Sequence, residues 1–252
     1  MKKTIFSILF LLVSFISTHA QYRYGIEAGG NLNYTAVNST QGAQPTTSLY
    51  IGYKAGALLD LDITENVGVQ LGLYYTVLGY KYKYSESSDD GGTTINESIN
   101  STTQENFLRL PINVVFRKPL GGGTFFIAVG PFLGYGLNGK VSGTYHADIT
   151  KNGATTTVDT PYGGGVSFSS KALDYGICAS IGYQLPAGLF IRAGYDLSLA
   201  GLQPVEGFGT QTNSCLSISL GFLFTHESKN RHHSFDTKVK YLPKPYNHLS
   251  YP

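Results

Sequence analysis

Apolar and polar side chains alternate one by one in eight segments of this chain, at 22 to 36, 48 to 63, 67 to 84, 103 to 117, 124 to 141, 170 to 185, 189 to 201 and 213 to 225. Period two is the mark of a strand with two unlike faces. The second segment sets Leu49, Ile51, Tyr53, Ala55, Ala57, Leu59, Leu61 and Ile63 against Tyr50, Gly52, Lys54, Gly56, Leu58, Asp60 and Asp62. The first sets Tyr22, Tyr24, Ile26, Ala28, Leu32 and Tyr34 against Arg23, Glu27, Asn31 and Asn33. The fourth opposes Leu108, Leu110, Ile112, Val114 and Phe116 to Glu105, Arg109, Asn113 and Arg117, and the seventh opposes Leu189, Ile191, Ala193, Tyr195 and Leu197 to Phe190, Arg192, Gly194 and Asp196. A one-residue slip would exchange the faces of a whole strand, so such segments specify their own register. In the third segment the phase slips near Leu78 to Tyr84, which predicts a bulge or the membrane exit there.

The connections alternate too. Those at 37 to 47, 85 to 102, 142 to 169 and 202 to 212 are long and polar; those at 64 to 66, 118 to 123 and 186 to 188 are short. An antiparallel barrel puts every second connection on one side of the bilayer, with short periplasmic turns and long surface loops. After the first twenty residues no stretch approaches the ~18 apolar residues of a membrane helix, so a closed barrel is the remaining way to span. The pattern predicts an all-β, eight-stranded antiparallel up-and-down transmembrane barrel over 21–225, in the outer membrane of a Gram-negative bacterium. A soluble lipocalin-like barrel would invert the two faces. Against it stand the glycines and mixed charges of the inner face, the loop alternation, and Phe222 and Phe224 closing the last strand.

Residues 1–20 read as a cleavable secretory signal: Lys2 and Lys3, an apolar run from Ile5 to Ile16, then Thr18-His19-Ala20. Gln21 stands where a lipid-anchored protein would carry Cys. Without the two leader lysines, 16 cationic residues balance 16 acidic ones. Residues 226–252 read as a flexible, basic periplasmic tail, where Lys229, Arg231, Lys238, Lys240 and Lys244 face only Glu227 and Asp236. That bias is too small for a nucleic-acid footprint. With 19 Tyr and no Trp, an interfacial aromatic belt must be built from Tyr and Phe. Cys178 and Cys215 fall on the sixth and eighth strands, about 9.5 Å apart by strand spacing, beyond the ~7 Å reach of a disulfide. Two free, buried thiols are expected.

On the inner face Glu27, Lys54, Arg109, Asp174, Arg192 and Asp196 are expected to meet in ion pairs across the lumen, because buried charges persist only when paired. An eight-stranded interior is just wide enough for side chains, so the network predicts a packed polar lumen and no wide pore.

The stretches FLRLPINVVF (107 to 116), FIAVGPFLGYGLNGK (126 to 140), LDYGICASIGYQL (173 to 185) and LFIRAGYDLSLAGL (189 to 202) together resemble the PorT-like family of outer-membrane β-barrels. The matching elements are Pro111, Gly130-Pro131, Asp174-Tyr175-Gly176, Gly182-Tyr183 and Tyr195. The resemblance implies the same barrel and, for some relatives, an association with protein secretion across the outer membrane. Pro111 lacks a ladder donor and predicts an irregularity; the paired glycines are expected to make room for lumen side chains.

Candidate chemistry is sparse. His146 and Asp148 sit two apart in the third long connection, a spacing that alone defines no site. Glu86, Asp89, Asp90 and Glu97 in the second lack the ligand alternation of a calcium loop, and His232-His233 in the tail has no ordered metal-ligand spacing. No catalytic residue, cofactor or metal is therefore expected. The reading is a structural or interaction barrel, accessory to envelope assembly or secretion, with outer-membrane lipid around it and partner proteins at 85 to 102, 142 to 169 or the tail. A small-solute channel and a surface hydrolase working through His146 are the alternatives.

Overall fold

The computed structural model describes residues 22–38, 46–166, 172–200 and 210–225; the leader, the tail and most of the connections 37 to 47 and 202 to 212 lie outside them. Ten strands run through the described residues: β1 (Tyr22–Asn38), β2 (Thr46–Ser48), β3 (Tyr50–Asp62), β4 (Val67–Asp90), β5 (Thr93–Leu120), β6 (Gly123–Lys151), β7 (Ala154–Val166), β8 (Leu173–Gln184), β9 (Leu189–Ser198) and β10 (Thr210–Thr225). Eight of them close a ring in the order β1, β3, β4, β5, β6, β8, β9, β10, with β10 pairing back onto β1. Every neighbouring pair is antiparallel.

One row of partners can be followed right round: Tyr22, Leu61, Val69, Val114, Val129, Ala179, Tyr195, Leu216 and then Leu32. The circuit returns to β1 ten residues further along, from Tyr22 to Leu32. A stagger of that size over eight strands tilts them by about 40° to the barrel axis. The row is also apolar throughout and points outward. Ile51 is 77% exposed and Ile218 61%, whereas Glu27, Asp60, Glu105 and Asp174 are at 1% or less. Ionised groups inside and aliphatic groups outside exclude the lipocalin-like arrangement. Tyr34, Tyr53, Tyr75, Tyr135, Tyr175 and Tyr195 face outward at the rim of the apolar band away from the short turns, one on each of six strands. Tyr22, Tyr24 and Phe224 do so at the other end, with Tyr24 and Phe224 stacked at 5.2 Å.

Two of the four expected long loops are not loops. β4 runs on to Asp90 and turns through Gly91 (φ 58°) and Gly92 (φ 91°) into β5; β6 runs on to Lys151 and turns through Asn152 (φ 51°) and Gly153 (φ 78°) into β7. Two successive residues at positive φ make the tight turn whose twist matches the flanking strands, and Asn-Gly and Gly-Gly are the pairs that adopt it readily. Ladder pairing is continuous to both tips, ending at Asp90 with Thr93 and Lys151 with Ala154. The segments are Ser/Thr-rich and polar, yet their β-branched Thr, Ile and Val fit a pleated surface better than a loop. At 29 residues β6 is roughly 100 Å long, where about ten residues suffice to cross. With β2 paired to Lys81–Lys83, an emergent sheet in the order β2, β4, β5, β6, β7 stands outside the membrane.

Irregularities fall near the expected places, with different geometry. Around Pro111 ladder pairs are missing, those of Leu110 and Pro111 toward β4 and those of Ile112 and Asn113 toward β6, but the register is unchanged; the register shift lies at Asn106/Phe107. The slip expected near Leu78 to Tyr84 is absent from the β4–β5 pairing, which keeps one register from Val67 to Asp90. It belongs to the neighbour: between Ser48 and Lys54 that chain has one residue more than β4 has between Lys81 and Thr76.

Candidate functional site

The six lumen residues named from the sequence gather in two clusters. Glu27 receives Lys54 Nζ at 3.1 Å and Arg192 at 3.2 Å, and accepts hydrogen bonds from the Tyr74 hydroxyl at 2.9 Å and the Ser219 hydroxyl at 2.6 Å. Arg192 also donates to the Gln70 side-chain carbonyl. Arg109 bridges Asp174 at 2.7 Å and Asp196 at 3.2 Å, and Ser198 donates to Asp174 at 3.1 Å. Each cluster spans the lumen, since its members come from strands far apart in the ring.

A third cluster was missed. Arg23 binds Asp60 at 2.8 Å and Asp62 at 3.1 Å, while Arg117 binds Asp62 at 2.9 Å and also Asp60. The signal was present: all four lie on inner faces and all sit at strand ends beside the short turns, which puts them at one height.

Apolar groups share the lumen with the charged clusters and with buried polar side chains such as Asn31, Asn33, Gln70, Thr76, Asn113 and Asn213. Leu58, Val115, Phe126, Ala128, Phe190 and Leu223 form one buried group; Leu78, Phe107 and Cys215 form another. Inward glycines seat the rings. Phe126 lies against Gly182, Phe132 against Gly176 and Phe190 against Gly221, where a Cβ would strike each ring. The rings in turn carry the cations: Arg109 lies 4.5 Å over Phe132, and Arg192 lies 5.3 Å from Phe126 and 5.2 Å from Phe190. Glycine, ring and guanidinium thus stack into a plug. Cavities of 40 Å³ beside Lys54, Arg109, Arg192 and Asp196, and of 10 Å³ beside Asp60 and Arg117, are the size of a few water molecules and of one. Cys178 and Cys215 are buried and free, and both pair with Asp196, one from each side.

The emergent sheet has two unlike faces as well. The face continuous with the lumen carries Tyr82, Tyr84, Ile95, Ile99, Tyr145, Ile149, Val158 and Tyr162, with Glu86 directly opposite Glu97. The other carries Ser, Thr, Asn and Lys with His146, Asp148 and Asp159. Glu86 and Glu97 are therefore on the opposite face from Asp89, and among the described residues no three His, Cys, Asp or Glu are placed to hold a metal.

His146 gains a partner the sequence did not suggest. Its Nδ1 is 2.7 Å from Asp159 across the β6–β7 ladder, and its Nε2 is 3.3 Å from Asp148, which accepts from the Thr157 hydroxyl at 2.6 Å. With both ring nitrogens held by carboxylates, no nitrogen is left to activate a nucleophile in this geometry. The hydrogen bond to Asp159, then that to Asp148, raises the His146 pKa above its ordinary 6.5. A raised folded-state pKa contributes stability that is fully present below the unfolded value and is lost as pH rises through the folded one. Histidine NMR titration is expected to give a midpoint above 6.5 that falls back in Asp159→Asn; an equal midpoint in both would remove the pairing.

A staggered eight-stranded ring with an aliphatic exterior, tyrosine belts and a charged, plugged interior defines an outer-membrane β-barrel. Residues 17–203 match the model of the outer membrane protein beta-barrel domain, and the chain belongs to that family. It is a protein of the Gram-negative outer membrane. Among solved structures, it is similar to the outer membrane protein OprG of Pseudomonas aeruginosa (10% identity, TM-score 0.39, covering 82% of this chain and 98% of that one). It is also similar to Ail, the attachment invasion locus protein of Yersinia pestis (11%, 0.36, 81% and 99%), and to Neisserial surface protein A (12%, 0.32, 82% and 99%). No curated protein matches it in sequence.

Proposed function

We propose that this is a closed, non-catalytic barrel of the PorT-like kind that serves as an anchor for an extracellular docking sheet, accessory to envelope assembly or secretion. The observation that carries the reading is the emergent sheet, whose lumen-side face leaves Val158 39%, Tyr162 38% and Ile149 36% exposed. A monomeric surface rarely keeps an apolar face without a partner. The plugged lumen supports an anchor over a channel, and the ordered Pro111, Gly130-Pro131, Asp174-Tyr175-Gly176 and Gly182-Tyr183 set supports the PorT-like assignment.

Two measurements test it. Purified protein in planar bilayers is expected to give no resolvable conductance steps; regular steps would favour the small-solute channel. Photo-crosslinkers placed at Tyr84 and Tyr145 in intact cells are expected to give discrete protein adducts, while the same group at Thr94, on the polar face, gives none. Equal labelling from both faces, or none from either, would end the docking reading.

A further inference from the structure

We propose that Lys81, Lys83 and Lys140 form a site for the phosphate groups of the phosphorylated glycolipid in the outer leaflet. The three side chains are exposed on the outward face of the emergent sheet, just beyond the apolar band. On β4 alternation continues from Tyr75 through Val77 and Gly79, both buried, to the exposed Lys81 and Lys83; on β6 the outward series is Tyr135, Leu137, then Lys140. Lys140 pairs with Gln104, and Gln104 with Gly79. The stagger of ten residues over eight strands lifts β6 over β4 by about two to three residues, so Lys140 stands level with Lys81. The two are separated by the β5 residues Thr102 and Gln104, both uncharged, with the Gln104 amide engaged by Tyr50 and Asn106.

Sidedness makes this a site for an anion and gives it one neighbour. None of the three lysines has a carboxylate within ion-pair distance among the described residues. Glu86, Glu97 and Glu105 stand on the lumen-side face. On the outward face the nearest acids along the same strands are Asp89, six residues above Lys83, and Asp148, eight above Lys140. At about 3.4 Å per residue these are roughly 20 and 27 Å away, beyond the ~8 Å over which charges are felt in physiological salt. An outward-facing group at this height abuts lipid headgroups, so the charge that complements the lysines is lipid phosphate.

The test uses the purified full chain in zwitterionic micelles, titrated with diphosphoryl lipid A and with the same lipid stripped of both phosphates, bound lipid being counted by native mass spectrometry. Each lysine near a charged surface contributes about fivefold in affinity. Lys81→Gln, Lys83→Gln or Lys140→Gln alone is expected to weaken diphosphoryl lipid about fivefold, the triple variant on the order of a hundredfold. Lys151→Gln, at the ribbon tip, should leave binding unchanged. Heat-modifiable gel mobility reports folding of every variant, and the single substitutions decide the matter if the triple variant fails to fold. Equal binding of stripped and phosphorylated lipid, equal loss in Lys151→Gln, or full displacement by millimolar inorganic phosphate would each overturn the proposal.

Discussion

Glu27→Gln is expected to destabilise the barrel by about 3–5 kcal/mol, the range seen when one member of a buried ion pair is removed and its partner stays behind. Glu27 is 1% exposed and is the shared acceptor of Lys54 and Arg192. Gln keeps the shape, its carbonyl accepting from one of the Tyr74 and Ser219 hydroxyls and its amide donating to the other, so the lost charge dominates the effect. Two cations are then left in a lumen where Asp174 and Asp196 are held by Arg109, and Asp60 and Asp62 by Arg23 and Arg117. Adding Lys54→Met should recover part of the loss, because one stranded cation is gone; contacting residues couple by 0.5–3 kcal/mol. The chain has no Trp, so urea titrations in lipid vesicles are best followed by heat-modifiable mobility. A loss below about 1 kcal/mol, close to that of an exposed pair, would mean that water reaches and screens this cluster.

Gly182→Val is expected to cost about 3 kcal/mol, the upper part of the usual range for overpacking. A Cβ at Gly182 would lie 2.8 Å from Phe126 Cε1, nearer still to Phe126 Cζ, and 2.5 Å from the Ile191 carbonyl oxygen. Phe126 has nowhere simple to go: it meets Phe190 edge-on at 6.2 Å and supports Arg192. The damage should therefore pass from a glycine to the charged cluster two layers of side chains away. Phe126→Leu combined with Gly182→Val should recover the share due to the ring clash and leave the share due to the carbonyl. Purely additive losses in the double variant would show that ring and glycine are not coupled.

The glycine seats were legible only as an expectation that glycines leave room. Which ring fills each seat depends on cross-strand register, and register across a barrel depends on closure. The charged network shows the same boundary. Alternation alone identified Glu27, Lys54, Arg109, Asp174, Arg192 and Asp196 as inward, but their division into two groups required the stagger of ten residues, whereas the third group at Arg23, Asp60, Asp62 and Arg117 follows from inward parity at strand ends beside the short turns. The emergent sheet was hidden for another reason. Ser, Thr and Asn composition suggests loop, and the rule that surface connections are long encouraged that reading, although Asn152-Gly153 and Gly91-Gly92 are hairpin turns written in the chain. His146 could be paired with Asp159 only once β7 was known to return along β6.

By itself, the sequence determined the eight spanning strands, the face each turns to lipid, the aromatic belts made without Trp, and the isolation of the two thiols. These are properties of period two and of strand spacing, so they are local. The tertiary structure decided which inward groups meet, that the lumen is plugged in layers, and that β4, β5 and β6 outgrow the membrane into a five-stranded sheet with β2 and β7. Those outcomes rest on the stagger at which the ring closes and on pairing between segments remote in the chain, and an alternating pattern constrains neither.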